Sequence, residues 1–165
     1  KQIFLDYYGE DFPYDRYKDE QSKNYHEKYD GGRLPLKKGV RELLQRFKNN
    51  NYKTAIASST RTALVVRQIQ DAGLAEYFDV IVGGDMVLRS KPEPDIFLLA
   101  CDELKCTPSE AYVIEDSYNG IRAAYAAKMH PIMVPDMLMP DDEMRRKADA
   151  VLEDLLAVSE YIGIK

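Results

Sequence analysis

Short apolar runs separated by longer amphipathic stretches recur along most of this chain. That alternation limits what it can fold into more than any other property. Thr54-Ala55-Ile56-Ala57-Ser58, Asp79-Val80-Ile81-Val82, Ala111-Tyr112-Val113-Ile114 and Pro131-Ile132-Met133-Val134 each read as a buried strand, and Ala148-Asp149-Ala150-Val151-Leu152 as a fifth. Helical patterns fill 61–72, 95–105 and 119–128, and a closing helix is expected over 153–162. Ahead of the first strand, Val40, Leu43, Leu44 and Phe47 share one helical face. Strands alternating with such helices form βαβ units, whose parallel sheet is covered by helices on both faces. The expected class is α/β. In sheets of this kind the chemistry lies beyond the carboxyl ends of the strands.

The first 33 residues follow another pattern. They hold six of the 12 tyrosines (Tyr7, Tyr8, Tyr14, Tyr17, Tyr25 and Tyr29) and read as one helix closed near Gly9 and a second over 14–29 closed by Gly31-Gly32. Two readings stand: half-buried helix packing, or a small lid whose tyrosines face a polar cleft. Leu34-Pro35-Leu36-Lys37-Lys38-Gly39 is the linker to the rest, so the boundaries are 1–33 and 34–165.

Composition narrows the function. A formal charge of −5 disfavours nucleic acid as a partner. No apolar run approaches the roughly 20 residues a membrane span needs, and no secretory core opens the chain. Cys101 and Cys106 form neither a CxxC pair nor a disulfide framework, which fits a reducing, cytoplasmic setting. A monomer is expected. His26 and His130 lack metal-ligand spacing and read as structural or surface residues. Met133, Met137, Met139 and Met144 are expected to pack the last strand and its following loop.

Three strand ends carry chemistry. Ser58-Ser59-Thr60 place hydroxyls at a helix start, where amide groups and the helix dipole favour an anion; plain N-capping would need only one of the three. Ser90-Lys91-Pro92-Glu93-Pro94 is a stiff loop that holds one ammonium in place, able to pair with a phosphate oxygen or a carboxylate. Glu115-Asp116 end an apolar run, where adjacent carboxylates are costly without a cation and suit Mg²⁺; the alternative is a capping Asp beside an exposed Glu. Together these groups describe a phosphate held by hydroxyls, lysine and Mg²⁺.

These strings resemble the haloacid dehalogenase-like hydrolases, in the branch of β-phosphoglucomutase and small sugar phosphatases. Ser58 matches the family's second motif, Lys91 in Ser90-Lys91-Pro92-Glu93-Pro94-Asp95-Ile96-Phe97 the third, and Glu115 and Asp116 in Ile114-Glu115-Asp116-Ser117-Tyr118-Asn119-Gly120-Ile121 the fourth. The resemblance implies a Rossmann-like parallel sheet and makes residues 1–33 the remnant of an α-helical cap. It implies phosphoryl transfer on a small phosphorylated metabolite, with Ser58 and Lys91 catalytic, Ser59 and Thr60 further phosphate contacts, and Glu115 and Asp116 holding Mg²⁺. Lys91→Ala is expected to slow turnover and leave the fold intact.

The first motif, Asp-x-Asp, is absent: no Asp here has another two positions later. In the family it ends a central strand between those that lead to Ser58 and Asp116. Together with the opening on Lys1 in a helical stretch, this gives the expectation of an N-terminally incomplete chain. A phosphatase, a hexose-phosphate mutase and a non-catalytic phosphate-binding domain all remain open.

Overall fold

A computed structural model describes residues 1–164. Two helices come first, α1 (Gln2–Tyr8) and α2 (Tyr14–Tyr29), and neither contains a buried residue. Phe4, Tyr8, Phe12 and Tyr17 cluster instead, with ring centroids 5.0–6.0 Å apart. Packing therefore explains some of the aromatic residues, while Tyr7 stays 80% exposed.

The following elements alternate as the periodicity requires. In order they are α3 (Val40–Asn49), β1 (Ala55–Ala57), α4 (Thr62–Asp71), β2 (Val80–Val82), α5 (Asp95–Leu104), β3 (Tyr112–Glu115), α6 (Tyr118–Ala126), β4 (His130–Met133), α7 (Asp142–Lys147), β5 (Ala150–Val151) and α8 (Leu155–Tyr161). All strand pairs are parallel. Tyr25 of α2 accepts a hydrogen bond from Gln68 of α4 at 2.6 Å, and Asp30 pairs with Arg67 of α4 at 3.0 Å, which seats the C-terminal end of α2 on α4.

The expected single sheet is two ladders, β2-β1 and β3-β4-β5. Among the described residues β1 and β3 share no ladder; an apolar cleft of about 900 Å³ separates them, lined by Ala55, Ala57, Phe97, Val113 and Ile114 among others. One core cluster joins Val82, Ile96, Phe97, Cys101, Val113 and Ala124. A second centres on Leu43, Ile132 and Val158, and a third on Ile121, Met133 and Met144. Burial pushes the Cys101 thiol up to about 12, and both cysteines are free.

The methionine segment departs from expectation in one respect and adds an element that the sequence reading did not assign. Residues 142–147 form a helix, because Asp141 caps it by accepting from the Met144 amide at 2.8 Å. Met133 and Met144 are fully buried, but Met137 and Met139 are 92% and 74% exposed and lie outside the core. No described helix is long and apolar enough to cross a membrane.

Candidate active site

A pocket of about 410 Å³ opens where the strand ends meet, lined by Ser58, Ser59, Lys91, Glu115, Asp116, Ser117 and Lys37 among others. Each arrives from a different part of the fold. Ser58 follows β1, and its amide donates to Val82 O at 2.9 Å, so the ladder fixes its backbone. Its Oγ accepts from the Thr60 amide at 3.1 Å. Lys91 comes from the loop before α5; its Nζ donates to Ala57 O at 3.1 Å, pairs with Glu115, and lies 4.7 Å from the centre of the Phe97 ring.

The Lys91 and Glu115 side chains are only 10% and 11% exposed. A buried pair needs further hydrogen bonds to offset desolvation. Ser117 provides them: its Oγ donates to Glu115 Oε2 at 3.0 Å, and its amide donates to the same atom at 3.4 Å. The same Oγ accepts from the Gly120 amide at 3.0 Å and so caps α6. Asp116, one residue past β3, is exposed and forms no ion pair or side-chain hydrogen bond with the described residues. It is the carboxylate open to a cation.

Thr60 is not among the pocket's lining residues. The helix start that follows it is also occupied: Asp85 accepts from the Thr62 amide at 2.7 Å and from its hydroxyl at 2.6 Å. The first amide of α4 therefore meets a carboxylate of the chain's own, which weakens the expectation that this dipole faces the pocket. Asp85 reaches Thr62 because Gly83 lets the two segments touch; a Cβ there would overlap Thr62 backbone and side-chain atoms.

The Thr62 hydroxyl, then its amide, hold the Asp85 carboxyl below the usual carboxylate range. A lowered folded value means the stabilisation is complete above the unfolded value, near pH 4, and is lost as pH falls through the folded one. Asp85→Ala is expected to lower the melting temperature at pH 7, with the gap to wild type closing below about pH 4. Melting curves across that range check it; a gap that persists at pH 2 would contradict the cap.

Sequence reading missed Ser117 and Lys37 as residues of the pocket and Asp85 as the cap of α4. Gly83-Gly84 ahead of an acid was the available signal for Asp85. Ser117 stood beside Glu115-Asp116, and its double hydrogen bonding depends on the tight start of α6. Nothing in the sequence marks which linker lysine enters the pocket.

Residues 2–134 match the model of the family described as haloacid dehalogenase-like hydrolase. The chain is 33% identical to protein CbbY of Cereibacter sphaeroides over 136 residues, covering 81% of this chain and 59% of that protein. It is 35% identical to the beta-phosphoglucomutase of Bacillus subtilis over 118 residues, covering 70% of this chain and 51% of the relative. Among solved structures, CbbY from Rhodobacter sphaeroides in complex with phosphate aligns with a TM-score of 0.67 at 36% identity, over 73% of this chain and 54% of that one. The chain spans 44–64% of the length of the first curated relatives it matches.

Proposed function

The chain belongs to the haloacid dehalogenase-like hydrolases, and we propose that it supplies the substrate-holding half of a Mg²⁺-dependent phosphatase for a small phosphorylated metabolite such as a sugar phosphate. The observation that carries this reading is the meeting of Ser58, Lys91 and Asp116 in one pocket, although they lie on three separate strand ends.

The reaction is phosphoryl transfer through an aspartyl-phosphate. The attacking aspartate belongs to a strand outside residues 1–165, which seats in the cleft between β1 and β3. The facing apolar edges of those strands and the cleft volume support that placement. The Ser58 hydroxyl and the Lys91 ammonium hold the phosphate oxygens as charge shifts onto them. Glu115 fixes Lys91, and Ser117 fixes Glu115, so the ammonium is positioned before substrate arrives.

The donor set suits Mg²⁺, which keeps several waters and takes one or two carboxylates. Asp116, with no ion partner among the described residues, is the principal ligand, and Glu115, already held by Lys91 and Ser117, the second. When bound, the cation neutralises phosphate charge. Asp116→Asn is expected to raise the Mg²⁺ concentration for half-maximal activity at least about tenfold, the loss found even for groups that only orient a metal ligand. A Mg²⁺ titration of the full-length protein checks it, and an unchanged midpoint removes Asp116 from the metal site.

Likeness to the Bacillus subtilis beta-phosphoglucomutase favours a second reading, in which a substrate hydroxyl rather than water takes the phosphoryl group. Phosphate release from sugar phosphates, measured beside conversion of β-glucose 1-phosphate to glucose 6-phosphate, separates the two. Phosphate binding without either activity would leave a non-catalytic domain.

A further inference from the structure

We propose that Lys37 makes this site selective for phosphate esters that carry a second anionic group; the proposal rests on the phosphatase reading for the place of the first phosphate. Two lysines line the pocket, and they are not equivalent. Lys91 is nearly buried and committed to Glu115 and the Ala57 carbonyl. Lys37 is half-exposed, and its partner is Asp136 at 3.0 Å, itself half-exposed on the loop that bears Met137 and Met139.

An exposed pair of this kind contributes little, so the ammonium can change partners at small cost. Asp136 would return to solvent, which avoids the penalty of a stranded buried charge. The backbone beside Lys37 is pinned, so the ammonium is presented from a fixed base. Lys38 Nζ donates to Asp154 at 2.6 Å, the Val40 amide donates to Lys37 O at 3.3 Å, and Gly39 lies against Leu156.

The other cations at the site are already engaged. Lys91 is held by Glu115, and the Mg²⁺ assigned to Asp116 would face the first phosphate. Lys37 is then the lining cation that can be released to meet a further anionic group. A carboxylate and a second phosphate share this chemistry, both accepting charge-assisted hydrogen bonds from an ammonium.

Calorimetric titration of the full-length protein at low salt and fixed Mg²⁺ tests the proposal. The probes are phosphoglycolate, propane-1,3-diol bisphosphate and ethyl phosphate, the last lacking a second anion. Wild type is expected to bind at least one of the two probes with a second anionic group about fivefold or more tighter than ethyl phosphate. Which probe shows the gap identifies the group as carboxylate or phosphate. Lys37→Met should bring the ratio to near one, Lys37→Arg should keep it, and Asp136→Asn should widen it. A wild-type ratio near one, a ratio unmoved by Lys37→Met, or no binding of any probe overturns the proposal. Phosphate release from the same probes is followed in parallel. A Lys37-dependent ratio without turnover supports Lys37 and rejects the phosphatase; turnover without a ratio does the reverse.

Discussion

Lys91→Ala is expected to cost about 3–5 kcal/mol of folding stability, the usual consequence of leaving a buried charge unpaired. It should also abolish most phosphoryl transfer. Sequence reading foresaw only the second effect and expected an intact fold. The difference comes from where the ammonium lies. Its side chain is 10% exposed and its partner Glu115 11% exposed, so removing the lysine strands a carboxylate that the single amide and hydroxyl of Ser117 cannot neutralise. Urea unfolding of the variant checks this. The double variant Lys91→Met with Glu115→Leu should recover much of the lost stability and none of the activity, since an apolar pair of similar size avoids the desolvation cost. A single variant that unfolds at the wild-type urea concentration would show that the pair is not buried in solution.

Gly120→Ala should be the second severe change, and its sign is the informative part. Gly120 lies in the first turns of α6, where alanine is ordinarily preferred over glycine by about 1 kcal/mol. Here a Cβ would overlap the Glu115 carboxylate. That carboxylate cannot swing aside without leaving both Lys91 and Ser117. The expected outcome is a net destabilisation of about 1–3 kcal/mol, typical of overpacking, with activity lost through the displaced ammonium. A denaturation midpoint at or above wild type would refute the contact. The glycine is thus required because the backbone of one helix passes against the functional carboxylate of the preceding strand, with no special dihedral involved.

The α/β class was legible because apolar period and length agree along residues 40–164, and hydrogen bonding then confirms each strand within a residue or two of its apolar run. Residues 142–147 escaped because Asp141-Asp142-Glu143-Met144 contributes one buried side chain, Met144, too few for a periodic signal. The break between β1 and β3 was legible only through the missing Asp-x-Asp and its strand, since nothing local in Ala55-Ile56-Ala57 or Val113-Ile114 says which neighbour either edge lacks. At the site, Ser58, Lys91, Glu115 and Asp116 were readable from their strand-end positions and do share one pocket. What sequence could not supply was the division of labour. Glu115 is engaged by Lys91 while Asp116 is open, and α4 is capped across the fold by Asp85 rather than left facing the pocket. Those distinctions depend on distances between segments more than 20 residues apart.

Lys91 touches both half-sheets, the Ala57 carbonyl at the end of β1 and Glu115 at the end of β3. The ammonium therefore joins the ends of two ladders that share no strand-to-strand bond among the described residues. An anion that draws it forward loosens its bonds to both, so filling the pocket is expected to move the two strand ends together rather than one alone.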